Sequence, residues 1–130
     1  MVDASALVAI GLGEPEHDAF IDILSAAPAA CIAPINYVET GLVLQRHGVV
    51  DGIADLDVWL ANLGVQRVEH HDLGGAAFLA YLRYGKRHHP AALNLADCFA
   101  YALAKQLDAP LLYKGDDFAK TDIRSALQPT

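Results

Sequence analysis

Charge is scarce in this 130-residue chain, and positive charge is scarcest. Charged residues make up 19%, with 9 Lys and Arg against 16 Asp and Glu, for a formal net charge of −7. Binding nucleic acid by bulk attraction is thereby excluded, because that binding is driven by cationic side chains neutralising backbone phosphates. Any nucleic-acid contact has to be local. Cysteine is nearly absent too: Cys31 and Cys98 each sit inside an apolar run, and no Cys/His set has zinc spacing. Reduced core thiols are expected rather than a disulfide or a zinc site. No apolar run approaches the roughly 20 residues of a membrane span, and the opening MVDASALVAI carries no basic stretch, so a soluble, cytosolic (cytoplasmic) protein with no membrane contact is expected. Gly and Pro are scattered, no linker or repeat divides the chain, and 54% of residues are hydrophobic; one folded domain over residues 1–130 is expected.

Short apolar runs alternate with longer helical ones, the pattern of an α/β domain with a mostly parallel sheet. MV reads as a very short strand ending at Asp3, followed by a helix in ALVAIGL that Ser5 can cap. Helices are expected in EHDAFIDILSAA, in INYVETGLVLQRHG after Pro34, in GIADLDVWLANLG, in LGGAAFLAYLRYG, and from about Asn94 to Leu107. ACIA, VQRVEH and APLLYKGDDF supply further strands, the last running into a loop.

A few carboxylates stand out against this background. Asp97 is the only charge in AALNLADCFAYALA, a segment built for burial. As residue N3 behind an Asn94 cap it gains about 0.3–1 kcal/mol from the helix dipole, which accounts for an acid in a first turn but not for its apolar company. Glu39 stands beside the stripe Ile35, Val38 and Leu42, where an ionised acid costs several kcal/mol unless paired or bound to metal. Asp3 closes the first strand, and Asp116 and Asp117 follow the last one. In a parallel α/β sheet the carboxyl ends of strands and the starts of following helices meet at one edge, which would gather these acids. Their mutual repulsion calls for a divalent cation, and all-oxygen ligands favour Mg²⁺ or Mn²⁺ over Zn²⁺. The adjacent pairs His70/His71 and His88/His89 read as solvated loop residues.

Four segments in order, VDASALVAI with GEPE, INYVETGLVL, LNLADCFAYALAK and PLLYKGDDFAKTDI, resemble the PIN-domain ribonucleases, specifically the VapC toxins of bacterial toxin–antitoxin pairs. The resemblance covers nearly the whole chain. It implies a three-layer α/β/α sandwich that hydrolyses RNA, transfer or ribosomal RNA among the candidates, with bound Mg²⁺ or Mn²⁺. It also implies a cognate VapB-like antitoxin and a homodimer. Asp3, Glu39 and Asp97 match the acidic set, and Ser5 the hydroxyl position after the first Asp. The fourth acid is Asp117 if the motif follows KGNDF, or Asp116 if it follows Thr-x-Asp.

Hydrolysis of a phosphodiester needs an activated water and stabilisation of charge on the phosphate, which one or two such ions supply. Arg83, Lys86 and Arg87 in RYGKRHH, together with Lys114, could hold flanking phosphates; a solvated loop is the plain alternative. Two other classes remain open at this level. A non-catalytic binding module is opposed by the intact acidic motifs, and a phosphoryl-transfer receiver or phosphatase by DAS in place of an Asp-x-Asp pair. Within the nuclease class, an RNA-processing enzyme without an antitoxin is the alternative.

Overall fold

A computed structural model describes residues 1–69 and 71–127. The β1 strand (Ala30–Ile32) pairs in parallel with β2 (Val65–Arg67), Ala30 opposite Val65. Beyond this pair the sheet continues through single rungs. Val2 N–H donates to Cys31 O, Asp3 N–H to Leu112 O and Leu112 N–H to Met1 O, each at 2.9 Å, while Leu111 pairs in parallel with Ser125. The spatial order is therefore β2, β1, the Val2 segment, the Leu111–Leu112 segment and Ser125. The strands expected in MV and APLLYKGDDF are thus present only as isolated bridges, too short to form a ladder of their own.

Six helices flank this sheet: α1 (Ala4–Gly11), α2 (His17–Ala26), α3 (Pro34–Arg46), α4 (Gly52–Asn62), α5 (Gly74–Tyr84) and α6 (Leu95–Gln106). Each expected helix is present. Side chains alternate across the sheet with period two and so divide the core. Val2, Ala30, Ile32, Val65 and Leu112 pack with residues of α1 to α4, whereas Met1, Leu111 and Tyr113 pack with α5 and α6. Both faces are covered, giving the α/β/α layering of the sequence reading. No helix among the described residues is long and apolar enough to cross a membrane.

Two local expectations are corrected. Ser5 does not cap α1: Asp3 does, its Oδ2 accepting from Ser5 N–H at 3.0 Å, so Ser5 lies inside the helix. The stripe Ile35, Val38 and Leu42 is not the inward face of α3. Val38 and Leu42 are 53% and 65% exposed, and Asn36, Tyr37, Thr40 and Leu44 are buried instead. Helical periodicity allowed either face, and packing against α1 and α6 selects the second.

Gly85 ends α5 where the chain folds back, and a Cβ there would overlap the Tyr81 carbonyl oxygen and ring. Gly85→Ala should therefore cost about 1–3 kcal/mol as overpacking. Urea denaturation of both proteins measures this.

Candidate active site

The sheet edge gathers the acids. Asp3 ends the Val2 segment and caps α1, Glu39 projects from the second turn of α3, Asp97 lies in the first turn of α6, and Asp117 opens the 3-10 turn Phe118–Lys120. All four line one cleft of about 360 Å³, together with Ser5, Asn94 and Lys114. Asp116 and Asp117 are both exposed, but of the two only Asp117 lines the cleft.

Two of these carboxylates are already engaged by backbone. Asp3, 2% exposed, accepts from Ser5 N–H on one oxygen and from Asn36 Nδ2 on the other at 3.4 Å. Asp97 forms a capping box with Asn94: its Oδ2 accepts from Asn94 N–H at 3.0 Å and Asn94 Oδ1 accepts from Asp97 N–H at 2.8 Å. Glu39 and Asp117 make no side-chain hydrogen bond among the described residues, which leaves both free to turn. As they stand, no three His, Cys, Asp or Glu groups among the described residues are arranged to hold an ion.

The cationic candidates separate. Lys86 lies close enough to Asp97 to favour its ionisation, while Arg83 turns away, over the Tyr84 ring at 4.9 Å and toward Tyr101 and Asp122. Arg87 is exposed, with a left-handed backbone at φ 71°. Lys114 reaches the cleft, but its ammonium is bound by Glu14 and, at 3.1 Å, by Glu16. Its backbone N–H donates to Ser5 Oγ at 3.0 Å, which ties the last loop to α1. The GEPE acids thus hold Lys114, a pairing that no local pattern indicates.

Of the histidines, His71 is exposed and His70 lies outside the described residues. His88 is exposed, as expected, with its ring edge-on to Tyr81, whereas His89 is half-buried, edge-on to Tyr84, and its Nδ1 accepts from Ala91 N–H. Both cysteines are free thiols, Cys98 buried and Cys31 half-buried.

The PIN domain family profile matches residues 1–124. A VapC ribonuclease of Mycobacterium bovis is 41% identical over 130 residues, covering 99% of each chain. A ribonuclease VapC of Mycolicibacterium smegmatis is 41% identical over 124 residues, 95% of this chain and 96% of that one. This chain belongs to the VapC ribonucleases of the PIN-domain family. A second M. bovis VapC ribonuclease is 37% identical over 130 residues, 98% of this chain and 97% of its own.

In this PIN domain burial dominates the electrostatics of the cleft. It pushes the Asp3 carboxyl up, with Glu39 adding repulsion and the Ser5 hydrogen bonds opposing. Glu39 is raised by burial and by Asp97. Asp97 is pushed up to about 6, first by burial and then by Asp3 and Asp117, against the Asn94 N–H and Lys86. The dipole and cap of α6 therefore do not compensate for its surroundings.

A pKa raised in the fold means that the folded chain binds the extra proton between about pH 4 and 6. The corresponding stabilisation is present below that window and is lost as pH rises through it. For Asp97 it amounts to on the order of 1–2 kcal/mol, allowing for solvent screening of a partly exposed group. Asp97→Asn keeps an acceptor for Asn94 N–H and removes this contribution. In chelator, the variant should show a shallower loss of stability from pH 4 to 6 and melt at pH 7 no lower than wild type. A first-turn acid that only serves the helix dipole would instead cost a few tenths to 1 kcal/mol when replaced. Denaturant titrations across that pH range discriminate the two.

Proposed function

We propose that this chain is a divalent-cation-dependent endoribonuclease acting as the toxin of a VapBC-type pair. The observation that carries the reading is the convergence of Asp3, Glu39, Asp97 and Asp117 on one cleft in a PIN domain whose relatives are named ribonucleases. The donor set fits a hard ion: all four are carboxylates, with no Cys or His lining the cleft. Mg²⁺ or Mn²⁺ held by Asp3, Glu39, Asp97 and Asp117 would supply charge to stabilise the phosphate and lower the pKa of a water.

The remaining work falls to the chain itself. Asp3 and Asp97 are fixed by their caps and serve as oriented ligands. Glu39 and Asp117, which make no side-chain hydrogen bond among the described residues, would complete the ligand set, and whichever stays off the ion could accept a proton. Ser5 Oγ holds the Lys114 backbone and with it the loop that presents Asp117. Lys86 is the cation best placed to meet a flanking phosphate; Arg83, Arg87 and Lys114 are secondary on this geometry.

Cleavage should vanish in excess chelator and return with Mg²⁺ or Mn²⁺, and Asp3→Asn, Glu39→Gln and Asp97→Asn should each lower it by at least about a hundredfold, as loss of an electrostatic contact in a site of this kind does. Full activity in chelator overturns the metal mechanism. For single-stranded RNA, Lys86→Ala should flatten the log–log salt dependence of binding by about 0.7, the value of one phosphate contact, whereas Arg83→Ala should leave it unchanged.

An antitoxin is supported by the surface beside the cleft. An apolar hollow of about 450 Å³ lined by Ile35, Val38, Leu42 and Leu95 shares Glu39 and Asn94 with it. A partner seated there could extend an Arg to the carboxylates, a bidentate match. Metal should then bind the toxin–antitoxin complex more weakly than the toxin alone; equal affinities in calorimetric titrations count against direct occlusion. Exposed Phe78, Leu79 and Leu82 on α5 offer a face for a homodimer.

A further inference from the structure

Asn36 is fully buried, 0% exposed, on the inward face of α3, yet its carboxamide is only half satisfied. Nδ2 donates to Ala96 O at 3.1 Å and reaches Asp3 Oδ1 at 3.4 Å, while Oδ1 has no partner. Reversing the amide would turn its oxygen toward a carbonyl and a carboxylate, both acceptors, so these neighbours fix its orientation. An unpaired buried carbonyl oxygen is a standing cost that a leucine of similar size would avoid. Local packing therefore does not explain why this residue is an amide.

Its contacts do. Asp3 is one of the acids of the cleft, Ala96 immediately precedes Asp97, and Glu39 lies one turn beyond Asn36 on α3. One amide thus joins the three segments that carry three of the four carboxylates. With Ser5 N–H on Oδ2 and Asn36 on Oδ1, the plane of the Asp3 carboxylate is set from both sides. The donor is also neutral. A Lys or Arg at this point would orient Asp3 equally well, but would cancel its charge and compete with any cation.

We propose that Asn36 is a positioning residue that holds Asp3, and the α6 start that carries Asp97, in the geometry for binding a divalent cation. This rests on the metal-dependent reading of the cleft and extends it to a residue that touches neither ion nor substrate. Carboxylates that ligate metals are themselves held by hydrogen bonds, and loss of such a support typically weakens metal affinity 10–100-fold.

The test is Mn²⁺ binding by isothermal titration calorimetry to wild type, Asn36→Leu and Asn36→Ser, with Leu44→Ala as a control that disturbs the buried face of α3 two turns away. RNA cleavage is measured beside it at saturating Mn²⁺. Asn36→Leu should raise the Mn²⁺ Kd at least tenfold, and Asn36→Ser, which keeps a small donor, by less. Leu44→Ala should lose thermal stability while its Kd stays within about twofold of wild type. In Asn36→Leu, kcat should fall with KM for RNA unchanged. If Asn36→Leu does not fold, Asn36→Ser against Leu44→Ala decides the matter alone. A wild-type Kd in both Asn36 variants, or an equal weakening in Leu44→Ala, overturns the positioning role. Failure of wild type itself to bind Mn²⁺ overturns the reading of the cleft, and the positioning role with it.

Discussion

Asp3 sits at the edge of the sheet with almost no surface left to water, and none of the ion pairs among the described residues includes it. An isolated carboxylate in such a place is unfavourable by several kcal/mol. What the chain provides against that cost is a set of dipoles: the Ser5 N–H and the start of α1 on one side, the Asn36 amide on the other. Those contacts dictate the surrounding architecture. The Val2 segment has to stop at this residue, α1 has to begin on it, and α3 has to turn a polar residue inward to reach it. The burial that raises its pKa keeps the group short of full compensation, which is the state a cation-binding carboxylate should occupy.

The acids were legible in the sequence because they broke a pattern: Asp97 interrupts an apolar helix, and the parallel α/β rule carries strand ends and helix starts to one edge. Helix boundaries were legible because Pro34, Asn94 and Gly85 mark them chemically. The orientation of α3 was not. Ile35, Val38 and Leu42 compete with Tyr37 and Leu44 as an apolar face, and nothing local says that Asn36 and Thr40 accompany the buried one. Asn36 is hidden in the sequence for the same reason, although it lies a single turn from Glu39. Ser5 and Asp3 are both good caps two residues apart, and only the rung from Asp3 N–H to Leu112 O decides where the helix starts. The basic stretch is continuous in sequence, but Arg83 still belongs to α5 while Lys86 has passed Gly85, so their side chains diverge.

The one cation lining the cleft among the described residues is committed to other acids. Lys114 is bound by Glu14 and Glu16, and Lys86 only weakly favours ionisation of Asp97, so burial and mutual repulsion prevail at Asp3, Glu39 and Asp97. Holding Lys114 back prevents a tethered ammonium from settling among the acids. On the proposed reading, the carboxylates are thereby left open to a small diffusible cation.

The capping box on α6 gives Asp97 two employments, one to the helix and one to the cleft, and only the second needs a charge. Aspartate and asparagine codons differ by one nucleotide, and the asparagine amide still has an oxygen for Asn94 N–H. A single transition therefore removes one negative charge from the cleft while leaving an acceptor at the helix start. The charge of the cleft and the stability of the helix start can thus vary independently under mutation.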